Sequence, residues 1–150
     1  MPIIAPPPPA IVALQAHAPA DTRNAAIVRT AFADWRAGRR SIFDLLAPDF
    51  RWTIEGSGPS AGTYDRQSFD ALLEPFNAAL AAPLLPSLQT VVANGDQVVV
   101  RFSATAPLKG GGTYRNRYAW FLTMRDGRIA RVTAFLDLSA FDAVRERGGD

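Results

Sequence analysis

Residues 113–137 hold two long alternating segments that meet at Asp126-Gly127. Asp-Gly between alternating apolar runs is the strongest short-range signal for a β-hairpin, because both turn positions must accept positive φ. The first arm, Thr113 to Arg125, places Asn116, Tyr118, Trp120, Leu122 and Met124 on one face and Arg115, Arg117, Ala119, Phe121 and Thr123 on the other. Neither face is simply polar. A row of amide, phenol and indole along one side of so long a strand predicts a sheet bent around a space that it keeps dry and also hydrogen-bonds into, which is the outline of a ligand pocket.

The rest of the chain changes period once. Before residue 88 the pattern is mainly helical. Asp21 or Thr22 is placed to cap a helix carrying Ile27, Val28, Ala31, Phe32 and Trp35, with Gly38 as its stop. Ser41 to Asp44 has the form of a capping box opening a short helix, and Phe50 to Glu55 alternates as a strand. Arg66 to Leu80 reads as an amphipathic helix that Pro75 should kink or split. From Leu88 onward come four strands, Leu88–Ala93, Gln97–Ala106, Thr113–Arg125 and Arg128–Leu136, and then a short helix opened by Ser139. Sequential strands with short connections favour an antiparallel sheet, and helices followed by strands give the α+β class.

Composition narrows the chemistry. The chain has 150 residues, enough for one domain and not two. It contains no cysteine, its one histidine is His17 and its one lysine is Lys109, so thiol chemistry and histidine-based metal or triad sites inside the domain are excluded. A net charge of +2 gives no strong prior for nucleic acid or membrane, and no bound cofactor is expected. Residues 1–20 form a proline-rich arm, with Pro6 to Pro9 favouring an extended polyproline conformation. Ala16-His17-Ala18 superficially resembles a signal-peptidase site but lacks a basic preceding region. With no apolar run of membrane length, the expectation is a cytoplasmic protein whose folded domain spans residues 21–150.

The order of elements resembles the nuclear transport factor 2-like superfamily, in particular its SnoaL-like and ketosteroid-isomerase-like branch. The marks are Phe32-x-x-Trp35-x-x-Gly38, Leu46-Ala-Pro-Asp49-Phe-x-Trp52, Gly62-Thr-Tyr64, and Tyr114-x-Asn116-x-Tyr118-x-Trp120 running through Asp126-Gly-Arg-Ile129 to Phe135-Leu-Asp137. The resemblance implies a cone-shaped, cystatin-like α+β barrel, in which a curved antiparallel sheet packs on three N-terminal helices around an apolar cavity. It also implies a homodimer through the outer sheet face. Ketosteroid-isomerase-like chemistry uses a carboxylate base with an oxyanion hole of Tyr and protonated Asp; those donors fall near Ala31 and Trp120, and the base falls near Ile54, one residue from Glu55. The Asp-Arg-Asp set of limonene-epoxide-hydrolase-like relatives is also missing, its last Asp falling near Ala134.

The inward phase selects Trp52, Ile54, Phe102, Asn116, Tyr118, Trp120 and Ala134 as pocket residues, with Phe76 from the third helix and Tyr64 from the loop at the rim. Glu55 is the candidate base and Tyr118 the candidate proton donor, while Asp137 is placed to cap the final helix. The outward phase carries Arg101, Arg117, Phe121, Arg131 and Phe135, a composition suited to a protein interface more than to nucleic acid. Two readings stand: a cavity that binds a small apolar molecule and catalyses isomerisation, cyclisation or hydration by proton transfer, or a non-catalytic ligand-binding or dimerisation module. An inward Glu55 would favour the first.

Overall fold

The computed structural model describes residues 19–149; residues 1–18, with the polyproline run and His17, lie outside the described residues. Helix α1 spans Ala20–Arg36, earlier than the expected start, with Pro19 at its N-cap and no side chain capping it. Asp21 sits in the first turn, near the positive end of the helix dipole, rather than at the cap. The helix stops at Gly38, whose φ of +73° costs a residue without Cβ little. Ser41 then opens a 3₁₀ turn, Ile42–Leu45, its Oγ accepting from Phe43 N at 3.1 Å.

Strand β1, Leu46–Ile54, is longer than its alternation suggested and carries Pro48. A register shift between Leu46 and Arg51 absorbs the missing N–H. Gly62–Tyr64, read from sequence as loop, forms a short edge strand β2 antiparallel to β1. Asp65 caps helix α2, Arg66–Ala79, in a reciprocal box with Ser68. Pro75 neither splits nor ends this helix. The turn before an internal proline has under-used carbonyls, and Arg145 Nε donates to Leu72 O there at 2.9 Å. The last helix lies against the same spot: a Cβ on Gly148 would stand 1.6 Å from Pro75 O, so only glycine fits.

Strands β3 (Leu85–Asn94), β4 (Gln97–Pro107), β5 (Thr113–Arg125) and β6 (Arg128–Leu136) complete a six-stranded sheet of order β2-β1-β6-β5-β4-β3. The α+β class is as expected, but the sheet is mixed: β1 runs parallel to β6, while every other neighbouring pair is antiparallel. The reason is topological. β1 is separated from β6 by nearly the whole domain, so no hairpin dictates their sense. The sheet is also open, with β2 and β3 as edges, and the third α-helix, α3 (Leu138–Gly148), is C-terminal. Asp137 caps α3, its carboxylate accepting from Ala140 N at 3.3 Å, whereas Ser139, expected to open that helix, lies inside it and donates to the same carboxylate at 2.8 Å. No helix among the described residues is long and apolar enough to cross a membrane.

The concave face and the helices enclose one continuous apolar core, centred on Val100, Phe102, Leu122 and Val132, each with no more than 1% exposure.

Candidate functional site

The core is not solid. Between the concave face of β1, β5 and β6 and the covering helices lies a hollow of about 510 Å³, with Trp35 of α1, Phe69 and Phe76 of α2 and Phe141 of α3 forming its opposite wall. Ser41 and Asn77 are exposed and mark its mouth, and the Leu80–Leu84 segment rims it. Trp52, Ile54, Tyr118, Trp120 and Ala134, of the inward strand phase, line the hollow together with Phe76 of α2.

Four expected residues stand elsewhere. Phe102 is one layer deeper, its ring parallel to that of Tyr118 at 4.7 Å, where it supports the wall. Tyr64 donates through its hydroxyl to Ser60 O at 2.7 Å and packs by the loop. Asn116 faces inward beyond the end of the hollow, where β5 meets the start of α3. Glu55 is exposed past the end of β1, its backbone N–H donating to Ala134 O at 3.0 Å. Sequence reasoning missed Trp35, Phe43, Phe69, Leu73 and Phe141 as wall residues. Their helical periodicity shows only that they are buried, not that the opposing face leaves a void.

Among the described residues, no acidic, basic or imidazole side chain lines the hollow. Behind Ser41 and Asn77 at the mouth, its lining side chains with a polar group are Tyr118 and all three tryptophans of the chain, Trp35, Trp52 and Trp120. Trp52 and Trp120 meet edge to face at 4.8 Å, while Trp35 lies nearly parallel to Trp120 at 6.3 Å. Such walls recognise flat apolar ligands through contact area and quadrupole complementarity.

Tyr118 belongs to a chain of contacts. Its hydroxyl is 2.5 Å from that of Tyr114, which accepts from Asn116 Nδ2 at 2.7 Å; Asn116 also bonds the backbone of Asp137 and Arg117. Burial pushes Tyr118 well above the usual phenol range and lifts Tyr114 to about 12, its hydrogen-bonded contacts with Tyr118 and Asn116 holding the latter back. Both phenols are therefore neutral at physiological pH. An unfolded phenol ionises near 10, so these side chains favour the fold fully below pH 10, and that contribution disappears as pH rises through about 12. In an alkaline titration, tyrosinate absorbance should appear together with loss of the folded circular dichroism signal. Ionisation of all three tyrosines near their ordinary value in an intact fold would contradict this.

A second buried polar cluster fixes the far wall. Asp142 accepts from Ser60 Oγ, which also accepts from Arg145 Nη1 at 3.0 Å. It ties α3, which carries Phe141, to the loop after β1. A Cβ on Gly58 would come within 3.0 Å of the Asp142 carboxylate, so that loop closes on glycine. Among the described residues, no group of three His, Cys, Asp or Glu side chains is arranged to hold a metal.

Residues 16–132 match the model of the SnoaL-like domain. No curated protein matches the chain. Among solved structures, it is similar to Bal32a from a soil-derived mobile gene cassette, with 21% identity over 83% of this chain and 97% of that one and a TM-score of 0.66. It is also similar to IdmH, a candidate polyketide cyclase from Streptomyces antibioticus, at 19% identity over 81% and 96% of the two chains and a TM-score of 0.61. TerC, co-crystallised with polyporic acid, shares 23% identity over 83% and 98% with a TM-score of 0.62. At these identities the likeness is one of fold.

Proposed function

Starting from a chain that belongs to the SnoaL-like domain family, we propose that it binds a small, uncharged, flat and largely apolar molecule in the hollow beneath its sheet. The observation that carries this reading is a cavity of about 510 Å³ bounded by three indoles and a buried phenol, with no charged side chain among the described residues of its wall. Its volume lies within the range of roughly 300–1,000 Å³ of small-molecule sites. A structural neighbour, TerC, was co-crystallised with a small molecule, which is consistent with this use of the fold.

Binding without acid–base catalysis is the better supported of the two sequence-derived readings. Cyclisation of the kind named for IdmH needs groups that take and return protons at a bound ring. The ionisable group in this wall is Tyr118, whose proton is held well above the usual phenol range, and Glu55 lies outside it. The wall tryptophans supply the test. Fluorene should quench their fluorescence saturably with one site per chain. Fluorene-9-carboxylate should bind on the order of a hundredfold more weakly, because an unpaired ion in such a site costs several kcal/mol. Equal binding of the two would remove the reading.

The outer sheet face supports a second proposal. Phe121 and Phe135 are 45% and 47% exposed there and pack edge to face at 5.7 Å. Arg101, Arg117 and Arg131 are exposed around them. We infer a homodimer through this face, the two aromatics forming its centre. A two-fold contact brings like arginine rims together, so dimerisation should tighten as salt screens them. Sedimentation equilibrium should show a dimer that Phe121→Ser weakens; a monomer at every concentration and ionic strength would rule it out.

A further inference from the structure

The hydrogen bonds behind Tyr118 have a direction, and the direction selects the ligand. Asn116 Oδ1 accepts from Arg117 N at 2.8 Å and Asp137 N at 3.0 Å, and its Nδ2 donates to Asp137 O at 2.9 Å. Backbone donors and acceptors cannot exchange roles, so the amide has one orientation. Its second N–H therefore donates to the Tyr114 hydroxyl at 2.7 Å. Tyr114 must then send its single proton elsewhere, and among the described residues the acceptor within reach is Tyr118 Oη at 2.5 Å. The reverse arrangement would leave the Tyr114 proton buried with no acceptor, since the Asn116 amide nitrogen can only donate. Tyr118, which borders the hollow, keeps its own proton for whatever occupies that space.

We propose that Asn116 sets the direction of a relay that makes the Tyr118 hydroxyl a donor into the pocket, so that the preferred ligand is a neutral carbonyl compound, such as a ketone, quinone or lactone, and not a hydrogen-bond donor. The inference rests on the pocket reading above. Each donation along Asn116, Tyr114 and Tyr118 polarises the next, strengthening the last donor beyond an isolated phenol. A ligand carbonyl completes the chain. A ligand N–H aimed at the same point meets a proton. Asn116 touches no ligand and acts only as a positioning residue.

Three flat tricyclic probes of similar size separate these cases: 9-fluorenone, which can only accept, fluorene, which does neither, and carbazole, which can only donate. Tryptophan quenching and calorimetry on the full chain should show fluorenone bound roughly fivefold more tightly than fluorene, with carbazole no tighter than fluorene. Tyr114→Phe frees the Tyr118 hydroxyl to donate or accept, and the fluorenone-to-carbazole affinity ratio should fall towards one. A role in packing alone would scale all three affinities together. Asn116→Asp offers Tyr114 an acceptor, so the relay should run backwards and favour carbazole; if that variant does not fold, the Tyr114→Phe ratio decides. Equal binding of all three probes to the wild type, or a ratio unchanged in Tyr114→Phe, overturns this inference alone. Binding of none of them overturns the pocket reading and this inference with it.

Discussion

Ala134→Phe should abolish uptake of fluorene while leaving the protein folded and at least as stable. Ala134 is 1% exposed, lines the hollow and lies opposite Trp120 on one neighbouring strand and Ile54 on the other. A phenyl ring at that position projects into space a ligand would otherwise occupy, so binding should drop below detection. In a solid core the same change would overpack and cost about 1–3 kcal/mol. Into an existing void it should be neutral or stabilising by about 0.5–2 kcal/mol, as cavity-filling changes commonly are. Opposite signs for binding and stability are the signature. Fluorescence titration and denaturant melts on the same variant measure both, and a strongly destabilised Ala134→Phe would mean that no usable space exists there.

Phe102→Ala should have the largest effect on stability. The ring is fully buried and packs against Phe32, Trp35, Tyr118 and Trp120, with centroid distances from 4.6 to 5.8 Å. Removing a buried aromatic of this kind costs about 3–5 kcal/mol, through lost transfer energy and the cavity left behind. The midpoint of guanidinium unfolding should fall accordingly, with little change in slope. Three of its neighbours, Trp35, Tyr118 and Trp120, are also pocket walls, so binding should weaken as well. A loss under about 1 kcal/mol would show that the surrounding rings collapse into the gap.

The alternation of β4, β5 and β6 was legible because period 2 assigns each residue to a face. Asn116, Tyr118 and Trp120 are all buried on the predicted side, and Phe121 and Phe135 are exposed on the other. What period cannot supply is depth along a face. Asn116 and Tyr118 share a phase, yet one latches the start of α3 and the other borders the hollow, because the end of the strand passes beneath that helix. Glu55 is one residue out of phase with inward-facing Ile54, so only a bulge beside it would turn it inward, and the register shift in β1 falls earlier, between Leu46 and Arg51. The parallel β1–β6 pairing was illegible for a related reason: hairpin signals describe neighbours in sequence, and this pair joins distant segments. The unbroken helix through Pro75 is packed by Arg145 and Gly148, partners that no local rule connects to it.

That parallel pairing also bears on how the chain is made. The Trp52 strand finds its Val132 partner only after almost the whole domain has left the ribosome. Until then Trp35, Phe43, Trp52 and Phe69 have no sheet to close over them, and contacts between such distant segments form slowly. During synthesis this aromatic cluster is exposed to chaperones and to neighbouring nascent chains. A truncation ending before Arg128 should therefore be captured by holdases or aggregate, although it contains every residue of the first two helices.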